Sequence, residues 1–291
     1  MQSRNGKQPR IIVKVGTSTL TRGGKQLCMP QLVDLVRQLS SLQDAGNEVV
    51  LVSSGGIAAG REAMEHPDIP GFLPEKQMLA AIGQPRLMAI YTQLFALYGK
   101  QIAQVLLTRE DLADRQRYLN ARNTLEALLQ YGLIPIINEN DTVATEEIQL
   151  GDNDNLSALV ANVLEADLLI LLTDQNGVFT ADPRRDPQAE LVQLVDTPQI
   201  PSSILTGADD TTTFLGTGGM QTKIHAADLA RRSGTEVVIA NGNLDAILHK
   251  IVIAKENHGT RFTAIGTHLE NRKRFLLSGA QDTSGQVVVD D

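Results

Sequence analysis

Residues 151–174 read GDNDNLSALVANVLEADLLILLTD, and this stretch decides the fold. Its middle, LSALVANVLEA, repeats apolar residues at helical spacing. Its end, DLLILLTD, is a short apolar run closed by Thr and Asp, as in a strand buried on both faces. A helix running straight into such a strand belongs to a βαβ rhythm, and parallel sheets are built from that rhythm. Asp152, Asn153, Asp154 and Asn155 crowd the start of the helix. Asp and Asn side chains cap free N–H groups, and anions there suit the helix dipole. One cap needs one such residue, so four in a row suggest that something is being held.

Outward from this stretch the rhythm continues in both directions. RIIVKVG (10–16) reads as a strand and MPQLVDLVRQLSSLQDAG (29–46) as a helix stopped by Gly46. NEVVLVSSGG (47–56) is a strand running into a glycine turn. PEKQMLAAIGQPRLMAIYTQLFALYG (74–99) is a long helical region, with an interruption expected near Pro85. QIAQVLLT (101–108) and LIPIINEND (133–141) are strands around the helix RQRYLNARNTLEALLQYG (115–132). VATEEIQLG (143–151) reads as a hairpin, GMQTKIHAADLARRSG (219–234) as a helix and TEVVIANG (235–242) as a strand. The fold class is α/β, a mostly parallel sheet covered by helices on both faces. Polar and glycine residues follow the strands at Ser53 to Gly56, Asn138 to Asp141, Thr173 to Gly177 and Asn241 to Gly242. Ligands of open α/β sheets bind beyond the carboxyl ends of strands, so these ends should line one crevice.

Composition narrows the function classes. The 291 residues, 42% hydrophobic and 21% charged, suffice for one large α/β domain or two smaller ones. A net charge of −8 argues against general nucleic-acid binding, and 3% aromatics disfavour base-stacking surfaces. The basic run Arg272, Lys273, Arg274 reads as a solvated linker. Cys28 stands alone, which excludes an intrachain disulfide and suits a reducing cytoplasm. The scattered histidines His66, His225, His249, His258 and His268 form no zinc-binding pair. No signal core and no membrane-spanning run are expected.

Lys14 lies inside an apolar strand, where a charge is costly unless it is paired or reaches the strand end. A snorkelling edge lysine is the plainer reading. The other is a cation aimed at phosphate, because Gly16, Thr17 and Ser18 follow as an anion cradle. Ser53, Ser54, Gly55 and Gly56 repeat the arrangement, either as a tight turn or as a carboxylate site. GTGGMQTK (216–223) is a third glycine loop, neither a Walker A loop nor a dinucleotide fingerprint, and it leads to Lys223. Glycine turns, two distant lysines and an acidic cluster suit phosphoryl transfer, which needs positioning and charge neutralisation. An aspartate between the lysines would hold both ammonium groups, and Asp154 is the candidate. Asp152 and Asn153 are then left for metal placement or substrate binding. No catalytic base stands out. A carboxylate acceptor is already ionised at pH 7 and needs none, so that gap favours an acyl phosphate product. LLTDQNGVFTADPRRDP (171–187) is a turn-rich loop, either a surface connection or a wall of the nucleotide site.

Together KVGTS (14–18), VSSGGIAAGR (52–61), INENDTVAT (137–145), GDNDNLSAL (151–159), LLTDQNGVFTADPR (171–184) and GTGGMQTK (216–223) resemble the amino acid kinase family. The likeness is to its members that act on L-glutamate. It implies a three-layer αβα sandwich and ATP-dependent phosphorylation of the side-chain carboxylate of L-glutamate to L-glutamyl 5-phosphate, opening proline synthesis. By motif, Lys14 and Lys223 would contact the transferring group and Asp154 would organise them. Ser54, Asp141 and Asn153 would bind glutamate. Lys14, Thr173, Asp174, Thr217, Gly218, Gly219, Met220, Gln221, Thr222 and Lys223 would bind ATP, with Mg²⁺ held mainly by the phosphates.

The resemblance also sets the expected organisation. Residues 1–275 would be the catalytic domain, with the amino-acid site mainly in 1–165 and the nucleotide site mainly in 166–275. Residues 276–291 would be a linker and the start of a truncated or absent PUA domain. A homodimer or homotetramer is expected, with the helix 74–98 as interface, as are feedback inhibition by proline and a glutamyl-phosphate reductase as partner. No membrane or nucleic-acid partner is expected. Gly56 departs from the SGAIAAG pattern common in the family. Another carboxylate acceptor such as aspartate or N-acetylglutamate is the related alternative, and INENDTVAT and GDNDN weigh against it. A non-catalytic amino-acid sensor and an RNA-binding protein are the readings from other classes.

Overall fold

The computed structural model describes residues 8–65, 69, 72–144, 152–183, 185–207 and 219–268. In chain order the elements are β1 (Arg10–Val15), α1 (Thr17–Thr21), α2 (Met29–Asp44), β2 (Glu48–Ser53), α3 (Gly56–Met64), α4 (Leu73–Ala96), β3 (Ile102–Leu107), α5 (Arg109–Ala113) and α6 (Arg115–Gln130). There follow β4 (Ile134–Glu139), α7 (Asp152–Val163), β5 (Leu168–Thr173), β6 (Leu194–Val195), α8 (Ser202–Gly207), α9 (Met220–Arg232), β7 (Glu236–Asn241), α10 (Ile247–Val252) and β8 (Thr260–Phe262).

The strands form one eight-stranded sheet in the order β3-β4-β2-β1-β5-β7-β8-β6. All pairs are parallel except β7 with β8. The chain leaves β1 toward β2 on one side and returns to place β5 on the other. That reversal puts a crevice above the carboxyl end of β1, where α/β folds bind ligands.

Strand alternation sorts the core into two clusters, one on each side of the sheet. Ile11, Val13 and Val15 of β1 join α2, α3, α4 and α10 on one face. Ile12 joins α6, α7 and α9 on the other. This is the three-layer αβα sandwich expected. Side chains alternate across a strand with period two, so Lys14 shares the face of Ile12, toward α7 and α9. At the far end of β1, Arg10 pairs with Glu48 at 2.7 Å and with both oxygens of Glu126 at 2.9 and 3.0 Å. That fork clamps β1, β2 and α6 together away from the crevice.

Two expectations need correction. α4 runs unbroken through Pro85. The bond lost is the one to the carbonyl of Ala81, and both residues are exposed, so water can take the donor's place. Leu87, Tyr91 and Phe95 meanwhile bury the opposite side of the helix and hold it straight. α7 begins at Asp152 rather than Leu156, so the polar cluster is its first turn. Beyond β7 the α/β rhythm yields to α10 and the antiparallel β8. The hairpin expected at 143–151 and the segment 276–291 lie outside the described residues, the former from residue 145 on.

α3 and α4 approach until their backbones touch. A Cβ on Gly83 would lie 1.8 Å from the Gly56 carbonyl oxygen, and one on Gly60 would lie 2.0 Å from the Leu79 carbonyl oxygen. In an open helix Gly→Ala stabilises by about 1 kcal/mol. Here overpacking reverses the sign, and Gly83→Ala is expected to destabilise by about 1–3 kcal/mol, read by denaturant unfolding. A gain in stability would show that the two helices can separate freely.

Candidate active site

Asp154 lies in the first turn of α7 and is fully buried. Lys14 Nζ stands 2.5 Å from Asp154 Oδ1, and Lys223 Nζ stands 3.2 Å from Oδ2. Both lysines are themselves buried. They come from opposite ends of the chain, Lys14 from the central strand β1 and Lys223 from the first turn of α9. A cation at a helix N-terminus opposes the dipole, whereas an anion there is favoured. Asp154 therefore suits its own helix and offsets the unfavourable placement of Lys223. The Thr222 hydroxyl reaches the same Oδ2 at 3.0 Å and the Gly219 carbonyl at 2.8 Å, so its single proton is shared between two acceptors.

Burial alone would raise the Asp154 carboxyl, but the charges of Lys14 and Lys223 and the Thr222 hydroxyl outweigh it and hold it below the usual range. Burial, and secondarily the like charge of Lys223, push the Lys14 ammonium below the usual lysine range despite Asp154. Two ammonium groups and one carboxylate give the trio a net charge of +1. A buried trio of that sign beside a crevice is a site for an anion.

Asn153 precedes Asp154, and successive helix residues project about 100° apart. While Asp154 faces β1 and α9, Asn153 turns to the ends of β2 and β4. Its Nδ2 donates to Ser54 Oγ at 2.8 Å and to Asn138 Oδ1 at 3.1 Å, with the Ser53 carbonyl at 3.4 Å. Its Oδ1 is buried and has no hydrogen-bond partner among the described residues. Asn138 Nδ2 in turn donates to Gln84 Oε1 of α4 at 2.8 Å. Below them the Ser53 hydroxyl donates to the Ser54 carbonyl and lies 2.9 Å from the Tyr91 hydroxyl. Gly55 at φ 99° makes the turn from β2 into α3, a backbone angle that favours glycine.

The expected residues therefore fall into groups. Lys14, Asp154, Lys223 and Thr222 meet, and Ser54 and Asn153 meet beside them. Asp141 sits in the turn that follows β4. At the end of β5, Thr173 donates to Asp174 at 3.1 Å. Thr173 is buried and Asp174 exposed. Gly219 caps α9, whereas Met220 packs partly into the core and Gln221 is exposed. Thr217 and Gly218 lie outside the described residues. Two participants went unassigned from sequence. Asn138 stood among the polar residues after a strand, which was a signal. Gln84 lies inside a helix and gave none. Among the described residues no cluster of three His, Cys, Asp or Glu is disposed to hold a metal ion, so no step is assigned to a metal-binding residue of the chain.

Comparison with known proteins bears on the family and the fold. Residues 9–241 match the Amino acid kinase family. A glutamate 5-kinase of Shewanella oneidensis is 53% identical over 281 residues, 97% of this chain and 74% of that protein. One of Aliivibrio salmonicida is 51% identical over 287 residues, 99% of this chain and 77% of that protein. Among solved structures, UMP kinase from Ureaplasma parvum aligns with a TM-score of 0.61 at 14% identity, covering 88% of this chain and 99% of that one. At such identity the likeness concerns the fold alone.

Removing one partner of a buried ion pair strands the others. Asp154→Asn is expected to destabilise the protein at pH 7 by about 3–5 kcal/mol. The folded carboxyl titrates below the unfolded one, so its contribution is complete above the ordinary carboxylate pKa and is lost as pH falls through the depressed value. The gap between wild type and variant should thus narrow toward acid in urea unfolding at stepped pH. A gap independent of pH would contradict the ion-pair account.

Proposed function

The chain belongs to the amino acid kinase family, and on that premise we propose that it transfers the γ-phosphoryl group of ATP to the side-chain carboxylate of L-glutamate. The products are ADP and L-glutamyl 5-phosphate, the opening step of proline synthesis. The observation that carries the reading is Asp154 buried between Lys14 and Lys223 at the carboxyl end of β1. A γ-carboxylate oxygen attacks the γ-phosphorus while the bond from that phosphorus to the β–γ bridging oxygen breaks. The acceptor is already anionic and yields no proton, so alignment and charge neutralisation suffice. Lys14 and Lys223 draw the negative charge of the moving group, and Asp154 keeps the two ammonium groups from splaying apart. Mg²⁺ arriving with the nucleotide would add charge neutralisation at the phosphates beside Lys14 and Lys223.

Glutamate lies beside Ser54 and Asn153, with Asp141 offsetting its α-ammonium. ATP lies across Lys14, the Thr173–Asp174 end of β5 and residues 217–223, which lead into the first turn of α9. The amino-acid site thus belongs mainly to residues 1–165 and the nucleotide site mainly to 166–275. Proline, which shares the α-carboxylate and amine of glutamate, competes at the acceptor site. The protein works in the cytoplasm as a homodimer or homotetramer, with α4 in the interface. Its labile acyl phosphate passes to a glutamyl-phosphate reductase.

Trapping of the acyl phosphate as a hydroxamate, with glutamate, aspartate and N-acetylglutamate as acceptors, tests the reading directly. Turnover is expected with glutamate and should fall on adding proline. Turnover of aspartate with none of glutamate rejects it. Lys14→Ala and Lys223→Ala should each lower kcat on the order of 100- to 1000-fold, with little change in glutamate KM. Asp141→Ala should instead raise that KM. Because the Lys14 ammonium sits below the ordinary lysine range, kcat should decline on the alkaline side as pH rises through that depressed value. A flat profile up to the ordinary lysine pKa would remove Lys14 from the reacting group.

A further inference from the structure

We propose that Gln84 is a positioning residue for the acceptor pocket, fixing the amide sense of Asn138 and, through it, of Asn153. The proposal rests on the reading that Ser54 and Asn153 meet the amino-acid acceptor. An amide has a donor end and an acceptor end, and its neighbours decide which faces where. Gln84 Oε1 lies 2.8 Å from Asn138 Nδ2 and can only accept. Asn138 Oδ1 is thereby turned the other way, where it accepts the Glu139 backbone N–H at 2.9 Å and Asn153 Nδ2 at 3.1 Å. Reversing Asn138 would set its Nδ2 against two donors and its Oδ1 against Gln84 Oε1. The two contacts therefore specify one orientation, and Asn138 is buried, so water cannot replace either.

The consequence reaches the pocket. With Asn138 so turned, Asn153 must present Nδ2 to it, and the second hydrogen goes to Ser54 Oγ at 2.8 Å. Asn153 Oδ1 is left as a buried acceptor with no partner among the described residues. Ser54 receives a hydrogen bond at its oxygen, so its own proton is available to donate. One open acceptor beside one available donor matches an ammonium beside a carboxylate, the pair that marks an α-amino acid. Gln84 itself is held by its neighbour Gly83, whose α-carbon lies against the Gly56 carbonyl. A Cβ on Gly56 would come 3.2 Å from Gln84 Oε1, so the bare α-carbon of Gly56 is what lets the amide sit there.

Steady-state kinetics with glutamate and with glutarate, which has both carboxylates but no ammonium, tests the role. Gln84→Met keeps the length and loses the acceptor, while Gln84→Glu keeps an acceptor. Gln84→Met is expected to raise the glutamate KM about tenfold with kcat and the ATP KM within about twofold, and to cut the preference for glutamate over glutarate about fivefold. Gln84→Glu should keep that preference within about twofold of wild type. An unchanged KM in Gln84→Met, a parallel loss toward both acceptors, or an equal loss of preference in Gln84→Glu overturns the proposal. Should Gln84→Met fail to fold, Gln84→Glu still decides, since preserved preference supports the role and collapse refutes it. A wild-type protein inert toward glutamate refutes the functional reading and this inference with it. That result is distinct from an active wild type with a silent Gln84→Met.

Discussion

The structure depends on one buried carboxylate that must satisfy two buried ammonium groups. Asp154 has no water to turn to, and its partners arrive from positions 14 and 223. A buried ion pair is weak support for stability, because desolvation offsets much of the attraction. Its retention here makes more sense as geometry. The trio can form only if β1 is central, if α7 and α9 pack side by side on one face, and if both helices begin at the crevice. Each of these is a property of the whole sheet. The Arg10 clamp on Glu48 and Glu126 anchors the other end of β1, so the strand is tied by charge at one end and supplies charge at the other.

The two halves of the site follow from the pitch of one helix. Asn153 and Asp154 are consecutive, so α7 sends a neutral amide toward β2 and β4 and a charge toward β1 and α9. Hydrogen-bond recognition and charge neutralisation are thus set side by side without a loop between them. Sites carried on packed helices hold their geometry better than sites on loops. The Ser54, Asn153 and Asn138 group is locked further by α3 and α4, whose glycine contact leaves no room for either helix to slide. Gly56, Gly60 and Gly83 therefore act on the placement of α3 against α4 through packing rather than through any polar group.

Much of this was legible in the sequence because charge in an apolar setting demands a partner. Lys14 within IIVKVG, and four polar residues before LSALVA, both break the burial rule in the same region of the fold. The strands β1, β2, β4, β5 and β7 were equally clear, being short apolar runs bounded by turns. What stayed hidden obeys no local rule. β8 has three residues and pairs antiparallel, so periodicity has nothing to count. Pro85 signals a break, yet tertiary packing of Leu87, Tyr91 and Phe95 overrides it. Gln84 reads as a helix surface residue, and only the approach of α4 to α3 turns it inward to Asn138.

The sign of the trio also suits an acceptor that needs no base. Lys14 is held with its ammonium destabilised by burial and by Lys223. Such a group gains most from an additional anion, and gains more as negative charge accumulates on it. In a loose phosphoryl transfer the equatorial oxygens carry that charge at the transition state. A site strained by excess positive charge is therefore more complementary to the reacting group than to an uncharged ligand, which is the condition for catalysis rather than mere binding. A resident base would work against this, since its negative form would consume the charge that the lysines offer. The buried carboxylate of Asp154 holds the two lysines together at fixed distance, and the acceptor supplies its own negative oxygen.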